Sequence, residues 1–299
     1  MMSALACLLG SGVSGCTPGL PEGQAVSFAS LAGWNDDDHG AVRSLFRRFC
    51  ASHPDAPVSD ALKAQHQALV ALCPAAGEAD SPSARLFFED HFVPYEVRGT
   101  PERAGRGFLT GYYEPEFAGS LEPTADFTAP LLSLPAGYVP PPGNPPAPGF
   151  PARRRVIDAG GTEQLQPLPP RAEIESGALA GLTRPLVYLK EPGQAFIIHV
   201  QGSARIRLVD GAILRVAFAG RNGYPYTSIG RILLERGEIA KGGLTLKRLL
   251  DWLAAHPDQA RELMNRNESF IFFRVNGDVG DDDGPTGAAG IPLLAERSL

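Results

Sequence analysis

Between residues 186 and 219 the chain carries four short runs that are apolar or alternate, at 186–190, 195–201, 204–209 and 213–219. Val, Ile, Leu and Phe recur in them, and glycine-bearing or polar turns separate them, so each is predicted as a β-strand. Asp210-Gly211 stands between the last two, the dipeptide of a tight hairpin. No other part of the chain reads so plainly as β-structure. A further run at 269–275, SFIFFRV, is expected to lie centrally in a sheet.

Helical patterns flank this block. Val42, Leu45, Phe46, Phe49 and Cys50 recur at i, i+3, i+4, i+7 and i+8, which predicts a helix beginning near Asp37. A second helix is expected at about 60–73, capped by Ser59, and a third opens at Ser81-Pro82 and stops before Pro94. Beyond the strands, Ser228 is placed to cap a helix at 229–236, with Gly237 just past its end. Thr245 caps another that closes at His256-Pro257, and a short helix follows to about Asn265. Eight prolines fall within 135–151, giving extended, unpaired backbone that suits an exposed loop or a linker between domains. The fold class is therefore mainly β with helices.

The 299 residues carry a net charge of −6, which argues against a nucleic-acid surface. Arg153, Arg154 and Arg155 form the only local basic run and read as a solvated turn. The one apolar stretch at the N-terminus, Met1 to Val13, is too short to span a bilayer and reads as the core of a secretory signal. Val13-Ser14-Gly15-Cys16 resembles a bacterial lipobox, although no Lys or Arg precedes the apolar run. A signal at 1–16, an acylated Cys16 and a tether at 17–36 follow. Export leaves Cys50 and Cys73 as an even pair in an oxidising compartment, expected as a disulfide, with two buried free thiols as the alternative. The histidines and cysteines show no metal spacing, and no phosphate loop, dinucleotide glycine pattern or nucleophile elbow occurs. No cofactor or metal is expected. Asp281, Asp282 and Asp283 read as an exposed loop, since they lack the alternating spacing of a calcium loop.

Two stretches carry candidate chemistry. In GFLTGYYEPEF, residues 107–117, a strand is predicted at 108–113, so Tyr112 and Tyr113 point to opposite faces and at most one packs in a core. Glu114 and Glu116 share one strand face; a glycosidase acid–base pair is the minority reading, and both are taken as solvated. In the second stretch, Gln201-Gly202-Ser203 is predicted to join two strands, and Asn222, Tyr224 and Tyr226 to form a loop before a helix. Amides, hydroxyls and aromatic faces on short turns suit sugar rings, and tight turns need the same residues.

The blocks FFEDHFVPYEV, LTGYYEP, LPPRAEIESGAL, HVQGSARIRLVDG, GRNGYPYTSIGRILLERGEI and LDWLAAHPDQARELMNRNESFIFFR, closing with GAAGIPLLAERSL, resemble the membrane-bound lytic murein transglycosylase A family over about residues 86–299. The resemblance implies a double-psi β-barrel domain, incomplete here, formed by 37–113 with 226–299, and an inserted smaller β-rich domain at 114–225. It implies an outer-membrane lipoprotein facing the periplasm that cleaves the β-1,4 bond between N-acetylmuramic acid and N-acetylglucosamine and leaves a 1,6-anhydro end. Thr110, Tyr112, Tyr113, Gln201, Ser203, Asn222 and Tyr226 would hold the glycan. A protonated Asp would donate to the glycosidic oxygen. No Asp in residues 1–299 matches it, so it is expected beyond Leu299 and the chain as given is expected to be inactive. The alternatives are a non-catalytic peptidoglycan-binding lipoprotein and an unrelated hydrolase using Glu114 and Glu116.

Overall fold

A computed structural model describes residues 23–52, 63–77, 83–97, 113–141, 150–277, 284, 285 and 293. The chain divides into two compact units, Met1–Tyr112 with Thr286–Leu299, and Tyr113–Pro285.

In the first unit a small antiparallel pair, β1 (Gly23–Ala25) and β2 (Tyr95–Val97), accompanies four helices: α1 (His39–Ser52), α2 (Lys63–Ala71), α3 (Cys73–Gly77) and α4 (Ala84–His91). Its core is ring-rich. Phe87 is buried with Leu72 and Ala76, and Phe46, Phe88 and Phe92 pack around it. Phe46 and Phe87 lie 5.8 Å apart, within the range of favourable ring pairs. A disulfide joins Cys50 on α1 to Cys73 on α3. Leu72 interrupts the helix expected at 60–73, which is two short helices.

The second unit carries β3 (Glu116–Ser120), β4 (Ala129–Leu132), β5 (Tyr138–Val139), β6 (Arg153–Ile157), β7 (Glu163–Pro167), α5 (Arg171–Glu175), β8 (Pro185–Leu189), α6 (Pro192–Gln201), β9 (Ser203–Leu208), β10 (Ile213–Arg221), α7 (Ile229–Glu235), α8 (Leu246–Ala255), α9 (Pro257–Asn265) and β11 (Ile271–Val275). Six strands pair in the order β11-β10-β9-β3-β8-β4. All neighbours are antiparallel except β3 and β9. The run at 269–275 thus ends the ladder rather than sitting in its middle. A parallel bridge between Ser133, just past β4, and Phe273 on β11 curls the two ends of the sheet toward each other. A smaller sheet, β5-β6-β7, contains the three arginines on a strand rather than a turn, with Arg154 donating to Gln166 and Arg155 beside Glu163.

The run at 195–201 is a helix. Pro192 fits its first turn and Gly202 ends it at φ 83°, a left-handed value that only glycine adopts without strain. Its apolar character is continuous because α6 is covered on two sides. Ala195 and Ile198 pack with the sheet residues Val187, Leu189 and Ile206, while Phe196 and Ile197 join Leu233, Trp252, Leu253 and Leu263 of α7, α8 and α9. A helix buried all round loses the 3.6-residue alternation that distinguishes it from a buried strand. Residues 226–277 pack within this unit: β11 pairs with β10, and α7–α9 close over α6.

The caps expected after the sheet are present. The Ser228 hydroxyl accepts from the Arg231 amide, and the Thr245 hydroxyl accepts from the Arg248 amide. Gly237 follows α7 at φ 75°.

Candidate functional site

The parallel pairing of β3 and β9 brings the start of both strands to one end of the sheet. Glu116 stands opposite Arg205, and the carbonyl of Pro115 accepts from the Arg205 amide. Tyr113 and Glu114 therefore lead into the sheet beside Ser203, and Gln201 reaches the same end as the last residue of α6. Tyr113 is half exposed, and Tyr226, in the loop before α7, is also exposed. Ser203 is buried, and its Oγ has no hydrogen-bond partner among the described residues. The structure thus gathers Tyr113, Gln201 and Ser203. Thr110, Tyr112 and Cys16 lie outside the described residues, as do Asp281, Asp282 and Asp283.

Asn222 departs from the expected role. It is fully buried. Its Nδ2 donates to the carbonyls of Pro169 and Glu268, and its Oδ1 accepts from the amides of Phe270 and Tyr224. Every hydrogen-bonding position of the amide is spent inside the protein, so Asn222 braces the chain around β10 and β11 and offers nothing to a sugar.

The two carboxylates are not free in solvent. The Glu114 side chain is 7% exposed, and its Oε2 accepts from Arg215 Nη2 at 2.6 Å; the same guanidinium nitrogen donates to the Gly284 carbonyl at 2.9 Å. The pair forms because an unpaired charge at this depth would lose its hydration without compensation. Glu116 is partly exposed and held by two arginines, Arg207 at 2.6 Å and Arg205 at 3.3 Å. Hydrogen bonds from Arg207, then Arg205, hold its carboxyl below the usual glutamate range. A general acid must present its carboxyl to the substrate. Neither glutamate is arranged as a catalytic acid, which removes the basis for a hydrolase using this pair.

A second polar centre, unforeseen in the sequence, lies deeper. Arg171 on α5 is 1% exposed and donates to the carbonyls of Asn267 and Ser269, to Glu175 Oε1 at 2.8 Å, and to His199 Nδ1 at 3.0 Å. Its guanidinium stacks over the rings of Phe196 and Phe270. Arginine only donates, so Nδ1 of His199 accepts and the ring proton sits on Nε2. Burial, then the Arg171 charge, pushes His199 well below the ordinary histidine range, which keeps the ring neutral. These residues border a cavity of about 880 Å³ enclosed by α5, α6, α8, α9 and the start of β4. The signals were a lone Arg after a Pro-Pro step and a His within an apolar run, and neither is specific in one dimension.

The comparisons decide the family. Residues 108–274 match the family model described as the MltA specific insert domain. This chain belongs to the MltA family. It is 31% identical over 203 residues to membrane-bound lytic murein transglycosylase A of Vibrio cholerae, a match covering 67% of this chain and 47% of that protein. The chain thus spans about half the length of that curated relative. Its fold is similar to a membrane-bound lytic murein transglycosylase from Agrobacterium tumefaciens, with 32% identity, a TM-score of 0.72, and coverage of 91% of this chain and 75% of that one. It is also similar to Escherichia coli MltA with bound chitohexaose, at 25% identity and a TM-score of 0.53, covering 86% and 65%. The α+β class expected from the sequence is therefore the class of the MltA fold. The matched insert-domain model runs through β11, as the second compact unit does.

Proposed function

We propose that this chain serves a peptidoglycan lytic transglycosylase that cleaves the bond between N-acetylmuramic acid and N-acetylglucosamine and forms a 1,6-anhydro product. The observation that carries the reading is the gathering of Tyr113, Gln201 and Ser203 at one end of the sheet of a family insert domain. A half-exposed ring can stack on a sugar face, and an amide can take its hydroxyl and N-acetyl groups. Thr110, Tyr112 and Tyr226 are assigned to the same glycan. A relative binds chitohexaose, which supports a β-1,4-linked amino-sugar chain as the ligand.

The proton donor is assigned to an Asp and not to Glu114 or Glu116, which are committed to arginines. Bond cleavage then needs that acid to protonate the glycosidic oxygen while the muramic C6 hydroxyl closes the ring in place of water. The relatives are named membrane-bound, and acylation of Cys16 would hold this chain on the outer membrane, facing the periplasm. Calorimetric titration of the 299-residue chain with chitohexaose should show binding that Tyr113→Ala and Gln201→Ala each weaken. Muropeptides released by a polypeptide carrying the acid should end in anhydro sugars, and reducing ends would overturn the transglycosylase reading. The second reading, a binder without catalysis, rests on the commitment of both glutamates; it predicts chitohexaose binding with no muropeptide release from any length of the protein.

A further inference from the structure

Among the described residues, the large aromatic side chains left exposed are Tyr113, Phe150, Phe218 and Tyr226, and all four lie toward one end of the six-stranded sheet. Tyr113 leads into β3. Phe218 follows Ala217, the residue that pairs with Ser203 at the start of β9. Tyr226 stands in the loop that leaves β10, and Phe150 lies against the first residues of that loop. At the opposite end, beside the Asp210-Gly211 turn and just past β3, the exposed large apolar residues are the aliphatic Val209 and Leu121. Single exposed apolar side chains need no explanation, but rings gathered in one place mark a binding surface.

The loops that carry Phe150 and Tyr226 hold each other in place. Gly223 has φ 88°, and the backbone of Phe150, Pro151 and Ala152 fills the space that a side chain there would need. The Ala152 amide donates to the Asn222 carbonyl at 2.7 Å, and the Ala152 carbonyl accepts from the Leu168 amide at 2.8 Å. Further along, the Thr227 amide donates to Asn267 Oδ1 at 3.0 Å before Ser228 caps α7. Phe150 is 53% exposed and Tyr226 55% exposed, so pinned backbone presents both rings to solvent. Rings held in advance lose little conformational entropy when a ligand covers them. Burial, then the charges of Glu173 and Glu268, push the Tyr224 phenol up, which sets two carboxylates near this loop. Carboxylates accept from sugar hydroxyls and disfavour the apolar core of a protein interface.

We infer that Phe150 and Tyr226 form a second sugar platform, on which the distal rings of a β-1,4-linked amino-sugar chain stack while Tyr113 and Gln201 hold the rings nearer Ser203. This platform rests on the glycan reading and extends it, adding Phe150 as a binding residue. Five residues of β10 and its exit separate Ala217, level with Ser203, from Asn222, a span of roughly 15 Å. One sugar cannot bridge that span, and a chain of several can. The platform lies wholly within the second unit.

The test is calorimetric titration of the 299-residue chain with chitohexaose, paired with NMR of the chain carrying ¹³C-labelled phenylalanine rings. Chitohexaose should shift the Phe150 ring resonances, identified by their absence in Phe150→Ala. Phe150→Ala should weaken chitohexaose binding about fivefold and keep the wild-type thermal midpoint, because the side chain is half exposed. Phe150→Trp, which restores a flat ring, should bind within about twofold of wild type. Val209→Ala, at the other end of the sheet, should bind as wild type does. An unmoved Phe150 resonance, or a Phe150→Ala chain with wild-type affinity, would overturn the second platform. If Tyr113→Ala still weakened binding in that case, the glycan reading would stand without it. A wild-type chain that bound no chitohexaose would remove the glycan reading and the platform together.

Discussion

Ser203 and Asn222 were assigned the same role from sequence, and their surroundings separate them. The Ser203 Oγ is buried without a partner among the described residues, so Ser203→Ala should leave the thermal midpoint unchanged or slightly raised. Asn222 makes four internal hydrogen bonds. Asn222→Ala should cost about 2–3 kcal/mol in urea denaturation, since it strands several buried backbone groups at once. Glu116 gives a pH signature. Its folded pKa lies below the unfolded value, so the stabilisation from Arg207 and Arg205 is in place above the ordinary glutamate range and is lost as pH falls through the lowered value. Its partial exposure keeps that contribution small. A carboxyl-detected NMR titration should show the Glu116 midpoint rise toward the ordinary range in Arg207→Gln.

Elements show where sequence reasoning reaches and where it stops. Turns and caps were legible because their determinants are local: Ser228, Gly237 and Thr245 act within a few residues of their own position. The hairpin at Asp210-Gly211 is of the same kind, with Asp210 Oδ1 accepting from the Ala212 amide and Gly211 at φ 90°. The segment at 195–201 was misread because its two-sided burial is a tertiary fact, written in α7–α9 and the sheet. Arg171 and His199 were invisible as a pair for a similar reason, being 28 residues apart and on different helices. Burial makes α6 a sensitive element. Ile198 is fully enclosed, so Ile198→Ala should lower stability by about 2–5 kcal/mol in urea denaturation, more than an exposed change at Val200. In the first unit, the Cys50–Cys73 bridge closes a loop of 23 residues between α1 and α3. Cys50→Ser with Cys73→Ser should cost that unit about 3 kcal/mol, read by the loss of its thermal transition midpoint.

At the scale of the whole molecule, the second unit carries its own cores and its own sheet. A fragment of residues 113–285 should fold cooperatively by itself, as followed by circular dichroism on heating. Cutting it back to residue 277 removes the Gly284 carbonyl from Arg215 and should lower stability by about 1.5 kcal/mol. The family's insert-domain model covers the same region from residue 108 to 274, so the family boundary and the packing boundary nearly coincide.

Glu114 and Arg215 are separated by 101 residues. One belongs to the segment entering the sheet and the other to a strand deep within the unit. A segment swap between relatives that imports residues 107–117 without their counterpart at 215 would bury one charge alone, at a cost of about 3–5 kcal/mol. Chimeras should therefore be viable when both pieces come from one parent and aggregate when they do not. In a set of shuffled genes, recovery of soluble protein would reveal that inheritance as a linked pair.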